Sequence, residues 1–260
     1  MNAEKPTKIN MLLQKTYPGT VMTSSWLKEK GYSSELIRNY KVSKWLESFQ
    51  NGAVIRYKDQ IDYLGAVHTL QNQLGLSVHP SARTALSLLG RAHYLEMNQR
   101  HVYLFGHDKE VLPTWFKSYT WKPEIVYHTS SFLPPKIGMT TFEHKGFSLE
   151  VSTPARAILE CLYMAPKYFD LLECHQLMEG LTDLMPIPLQ EMLEKCTSVK
   201  VKRLFFYLAD KSNHSWLKYL DRSTIDLGSG NRSFAKKGVY ISMYKITVPK
   251  ELEENELPGL

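Results

Sequence analysis

Between Lys28 and Arg56 the chain concentrates side chains with directed donors: Lys28, Lys30, Ser33, Ser34, Arg38, Asn39, Lys41, Lys44 and Arg56. Arg38 can present two parallel N–H donors to guanine O6 and N7, and Asn39 can pair bidentately with adenine N6 and N7. Ser33, Ser34 and the start of the helix they open suit phosphate oxygens. Lys28, Lys30, Lys41, Lys44 and Arg56 are phosphate ligands by type, each adding roughly one unit to the salt dependence if engaged. An ordinary solvated helix face is the competing reading for Arg38 and Asn39. Tyr40 and Trp45 are expected to pack a core rather than touch bases.

A second run of cations comprises Lys200, Lys202, Arg203, Arg222, Arg232, Lys236 and Lys237. Three readings stand for it: an extension of a DNA footprint, a contact for an acidic protein partner or its RNA substrate, or a solvated helix face. Net charge is +6, and its distribution says more than its size. Residues 1–60 hold ten Lys/Arg against five Asp/Glu, and residues 200–237 nine against three, around an acidic middle. That pattern suits a chain that meets nucleic acid with one surface and something else with another.

No catalytic constellation emerges. Gly228-Ser229-Gly230 is a lone GxG followed by strand-like sequence, not by a helix whose N-terminus would hold a phosphate. The paired carboxylates that a nucleotidyltransferase needs for Mg²⁺ do not follow it. The histidines show no tight ligand spacing. In Cys174-His175 the side chains diverge by about 100° on a helix and cannot form a thiolate–imidazolium pair. Asp59, Asp62, Glu251, Glu253 and Glu254 read as solvated acids. The expectation is a chain that is not an enzyme, with no cofactor and no metal.

These donors need elements to position them. Ile9, Leu12 and Leu13 mark a helix over 8–17, stopped by Pro18-Gly19. Thr23-Ser24-Ser25 caps a second helix that ends at Gly31, and Ser33-Ser34-Glu35 opens a third. Trp45–Phe49 and Ala53–Tyr57 flank Gln50-Asn51-Gly52 as a hairpin, with Asn51-Gly52 supplying a primed turn with positive φ at both centres. Helix, helix, helix, hairpin is a winged helix-turn-helix. An amphipathic helix over 59–74 is expected to connect it to the rest of the chain. Beyond Gly75 the pattern predicts a helix over 81–89 and strands at 93–97, 101–105, 124–128, 139–144, 147–151 and 239–248. Helices are predicted from Ser152-Thr153-Pro154 and over 168–181, 188–196, 200–209 and 214–219, with a fraying tail from Glu251. The fold class is thus α/β (α+β): an N-terminal winged helix-turn-helix (1–58), a connecting helix (59–76) and a larger mixed α/β C-terminal domain (77–260).

Hydrophobic residues at 43% allow both parts to bury cores. No apolar run approaches the roughly 20 residues of a membrane helix. Cys161, Cys174 and Cys196 read as buried thiols of a reducing cytosol, so the expected localisation is cytoplasmic.

Several stretches in order resemble the AbiEi family, antitoxins of abortive-infection (type IV) toxin–antitoxin systems. They are Trp45-Leu46 with Gly52–Tyr57, Ala85–Gly90 before Ala92–Leu95, Ser152–Glu160, Leu227–Arg232, and Gly238–Tyr240 leading to Tyr244–Pro249. The resemblance implies a cytoplasmic transcriptional autorepressor that binds double-stranded DNA at its own promoter, and a C-terminal antitoxin domain. It also implies a cognate toxin of nucleotidyltransferase type as partner. The wing departs from expectation: its tip is Gln50-Asn51-Gly52, not Gly- or Arg-rich. A single winged helix reads a short site weakly, so two copies on inverted repeats are expected. The alternative is a winged-helix regulator whose C-terminal domain senses a ligand or an unrelated partner.

Overall fold

The computed structural model describes residues 7–91 and 101–254. The strand expected at 93–97 and the stretch Ala92–Leu95 lie outside the described residues. Contacts divide the chain into two compact units, one of 1–79, 100–129 and 141–150, the other of 80–99, 130–140 and 151–260. This division interleaves segments along the sequence.

The first unit begins with α1 (Lys8–Lys15), β1 (Met22–Thr23), α2 (Ser24–Glu29) and α3 (Ser34–Val42), followed by the hairpin β2 (Leu46–Gln50) and β3 (Ala53–Arg56). Hydroxyls cap three helix starts: Thr23 accepts from Trp26 N–H and Ser33 from Leu36 N–H as their positions predict, and Thr7, which the pattern does not mark, accepts from Asn10 N–H. The three strands pair in the order β1-β3-β2, with Met22 opposite Val54. Leu12, Met22, Leu27, Ile37, Leu46 and Val54 form the core beneath them. Fully burying a residue of this kind contributes about 1.5–3 kcal/mol.

The hairpin turn differs from expectation. Gly52 has φ +83°, but Asn51 is not among the positive-φ residues, and the register shifts between Ser48 and Gln50. The extra residue of a bulge supplies the strand twist that a primed two-residue turn would otherwise give.

The expected connecting helix is α4 (Tyr63–Leu74), which starts later than predicted and packs within the first unit. Leu64, Ala66, Val67 and Leu70 are buried, and Thr69 Oγ1 both donates to Val21 O and accepts from Val21 N–H. Asp59 and Asp62 are not merely solvated. Asp59 accepts from Gly19 N–H at 2.6 Å, while Asp62 caps α4 and takes His144 Nε2 and Lys145 Nζ, each at 2.8 Å.

After β4 (His79–Pro80) and α5 (Ala82–Leu88), strand β5 (His101–Gly106) pairs in parallel with β6 (Glu124–Thr129), in the order β4-β5-β6. Parallel pairing needs a long crossover, and here it carries the short α6 (Thr114–Lys117), which the sequence pattern does not predict. Strands β7 (Met139–His144) and β8 (Phe147–Ser152) form a two-stranded sheet.

The second unit contains α5 and is built on α7 (Pro154–Met164), α8 (Leu171–Glu179), α9 (Pro186–Lys195) and α10 (Val199–Lys211). A small sheet comes next, β9 (Arg232–Ser233), β10 (Gly238–Ile241) and β11 (Ile246–Pro249), in the order β10-β11-β9. The strand expected over 239–248 is therefore a hairpin, broken by a turn in which Lys245 has φ +52°. The helix expected over 214–219 is a 3-10 segment, Ser215–Tyr219. The expected fraying tail starts instead as α11 (Glu251–Glu254), anchored by buried Leu252 and by Tyr207, which donates to Glu253 at 2.5 Å.

Candidate nucleic-acid interface

In the first unit α2 and α3 are joined by a tight link through Gly31, whose φ of +83° lets the chain reverse. Ile37 turns into the core, with Leu36 and Tyr40 packed against it, so Arg38 and Asn39 are left facing solvent. Lys28, Lys30, Ser33, Ser34 and Lys44 are exposed as well. A cleft of about 400 Å³ opens between the two helices, lined by Ser24, Ser25, Lys28, Ser34, Arg38 and Lys41 among others. The fold thus brings Lys28, Ser34, Arg38 and Lys41 to one concave surface. Ser24 and Ser25 join them there. Sequence position marks these two serines only as cap hydroxyls, but Thr23 does the capping and leaves both at the cleft.

Two expectations near this surface, for Arg56 and for Trp45, need correction. Arg56 is not a free phosphate ligand: its guanidinium donates to Leu13 O at 2.6 Å and Thr16 O at 2.5 Å, tying α1 to the hairpin. Burial lowers its pKa, with Asp59 opposing. Lys41 is half-exposed and donates to Ser48 Oγ at 2.8 Å. Trp45 does not enter the core but stays 47% exposed at the foot of the hairpin.

The second unit treats its cations differently. Arg203 is 1% exposed and donates to the carbonyls of Leu227, Gly228, Gly230 and Lys245 at 2.6–3.3 Å. The Gly228-Ser229-Gly230 turn therefore wraps carbonyl oxygens around a guanidinium, the reverse polarity of a phosphate cradle. Gly228 has φ +62°, and a Cβ there would lie 2.9 Å from Val199 Cγ2, so glycine is required. Lys200 donates to Tyr163 O and Ala165 O, with its pKa lowered by burial. Lys202 is 5% exposed. Arg222 bonds Asp210 and Tyr244, and the hydrogen bond to Asp210 raises its pKa. Four of the seven cations expected to share a basic surface are internal or paired, and only Arg232, Lys236 and Lys237 are exposed. For Lys200, Lys202 and Arg203 the physical reason is that α10 buries most of its circumference, so a polar side chain there loses water and needs compensation inside. Arg222 lies beyond α10 and is drawn in by Asp210 at the C-terminal end of that helix.

The Ser152–Glu160 stretch is also structural. Glu160 is fully buried and accepts from Arg156 Nε at 2.8 Å, Ser152 Oγ at 2.8 Å and Ala82 N–H at 3.0 Å. Arg156 also donates to Pro134 O and Ile137 O, so one ion pair gathers segments from well-separated parts of the sequence.

Cys161, Cys174 and Cys196 are free and buried, and burial raises the pKa of each thiol. Among the described residues no group of three or more His, Cys, Asp or Glu could hold a metal ion. None of the described helices is long and apolar enough to cross a membrane.

A family model described as "Transcriptional regulator, AbiEi antitoxin, Type IV TA system" matches residues 99–249, and one described as the AbiEi antitoxin N-terminal domain matches residues 5–97. No curated protein matches the chain. Among solved structures, the RV2827C protein from Mycobacterium tuberculosis is similar in fold, with a TM-score of 0.56 at 14% identity over 88% of this chain and 86% of that one.

Proposed function

We propose that this chain, which belongs to the AbiEi family of transcriptional regulators and antitoxins of type IV toxin–antitoxin systems, represses its own promoter by binding double-stranded DNA. The observation that carries the reading is the exposed surface of α2 and α3, where exposed Lys28, Ser34 and Arg38 converge on one cleft, with half-exposed Lys41 at its edge. In this reading α3 lies in a major groove. Arg38 and Asn39 read base edges, Ser33 and Ser34 meet phosphate oxygens, and Lys28, Lys30 and Lys44 neutralise the backbone.

Repression then results from occupancy alone. Two copies on inverted repeats would supply the affinity that one short site lacks. The chain acts without a cofactor in the cytoplasm and counteracts a toxin of the nucleotidyltransferase type. Of the second basic run, only Arg232, Lys236 and Lys237 remain available to a partner.

The test is binding to the DNA just upstream of the gene, titrated against salt and against unrelated duplex. Preferential binding that Arg38→Ala abolishes supports the assignment. Binding no better than to random duplex, or indifferent to Arg38→Ala, removes it.

A further inference from the structure

The tip of the β2–β3 hairpin, Gln50-Asn51-Gly52, carries no cation, yet a wing that tracks a DNA backbone gains its affinity from positive charge. The strand leading into that tip is not bare. The ring of Phe49 lies 4.6 Å from Tyr119, 6.2 Å from Trp115 and 6.3 Å from Trp121, centroid to centroid. Trp121 sits 4.6 Å from Tyr119 and 4.9 Å from Phe116, and its indole N–H donates to Phe116 O at 2.9 Å. Offset and tilted rings at these separations are the favoured aromatic geometry. The α6 segment is thereby fastened to the hairpin inside one compact unit.

That segment has a one-sided charge. Between Glu110 and Glu124 the charged side chains are Lys117 and Lys122, both exposed. The flanking Glu110 accepts from Ser77 N–H and Ser77 Oγ at 2.9 Å each, and Glu124 lies 3.5 Å from His101.

We propose that residues 114–122 form a second DNA-contacting strap, clamped to the wing by Phe49, in which Lys117 and Lys122 supply the phosphate contacts that the hairpin tip lacks. The inference rests on the DNA-binding reading of α2 and α3 and extends it to residues far from the wing in sequence. Phe49, Tyr119 and Trp121 act in it as positioning residues. The partner is duplex DNA, recognised through its phosphates and not its bases.

The test uses the full chain with duplex from upstream of its gene and with random duplex, measuring log Kobs against log salt. Lys117→Gln/Lys122→Gln is expected to reduce the slope by about two units on both duplexes, since each phosphate contact contributes about 0.9. Phe49→Ala, with both lysines intact, is expected to reproduce that loss of slope and to change the tryptophan emission. A purely structural role would lower the melting temperature without touching the slope. An unchanged slope in the double variant, while Arg38→Ala still loses sequence preference, overturns the strap. A full slope in folded Phe49→Ala overturns the clamp. Absence of binding by the unsubstituted chain is a different failure, because it removes the DNA-binding reading itself.

Discussion

The two cation-rich regions of this chain have similar composition and opposite fates. In residues 24–44 the cations ring a solvent-facing cleft, with apolar neighbours such as Leu27 and Ile37 turned inward. In residues 200–222 Lys218 stays exposed, but Lys200, Lys202, Arg203 and Arg222 are buried or paired within the fold, where Arg203 meets carbonyls and Arg222 meets Asp210. A surface cation keeps its solvation and offers its charge to a partner. A buried one has given up water and must be compensated by fixed dipoles or a counter-ion. Local charge density therefore does not identify a binding surface.

Substitutions should separate the two classes sharply. The largest effect is expected at Arg203→Ala, which leaves several carbonyls without their donor and opens a void. It should lower stability by about 3–5 kcal/mol, the range for breaking a buried charged interaction, as measured by denaturant titration. Glu160→Ala should fall in the same range, since it strands buried Arg156. A loss below about 1 kcal/mol at either site would put that group with the surface charges.

Arg38→Ala should do the converse. Stability should stay within about 0.5 kcal/mol, as for surface changes generally, while discrimination between promoter and random duplex falls by about 1–3 kcal/mol. Competition binding beside a melting curve reads both.

Asp210 tests the distinction through pH. Burial opposes its ionisation, but hydrogen bonds from Arg222 and Tyr244 more than offset this and hold its pKa below the ordinary carboxylate value. A depressed carboxyl pKa stabilises the fold above the unfolded-state value and loses that contribution as pH falls through the folded one. Asp210→Asn should therefore cost about 1 kcal/mol at neutral pH, a figure kept small because the carboxylate is 32% exposed. The variant should also show a flatter loss of stability below about pH 4. Identical acid titrations for the two proteins would contradict the pairing. The smallest effect belongs to Lys44→Ala, which should weaken all duplexes alike and trim the salt slope by about one unit, leaving stability unmoved.

Much of the winged-helix head is legible from local signals. Hydroxyls at Thr23 and Ser33, glycines at 31 and 52, and the spacing of Leu27, Ile37 and Leu46 specify helix starts, turns and an inner face without reference to distant residues. The exposure of Arg38 and Asn39 comes from the same pattern, because Ile37 and Tyr40 occupy the inward positions.

Other features are invisible there because they depend on residues far apart in sequence. Arg56 looks like any hairpin cation until α1 presents Leu13 O and Thr16 O to it. Trp45 carries the most apolar surface in its stretch, yet the register of β2 turns it outward. The parallel pairing of β5 with β6 requires a crossover that no two-residue period encodes.

From the sequence alone came the order of the head's elements, its capping residues, the resemblance to AbiEi antitoxins and the exposed side of α3, all set by interactions within a few residues. Only the tertiary structure decided which cations face water, what the Gly228-Ser229-Gly230 turn holds, and that the α6 segment fastens to the wing. Desolvation is a property of the packed whole, and a side chain's neighbours in space are settled when the chain closes on itself.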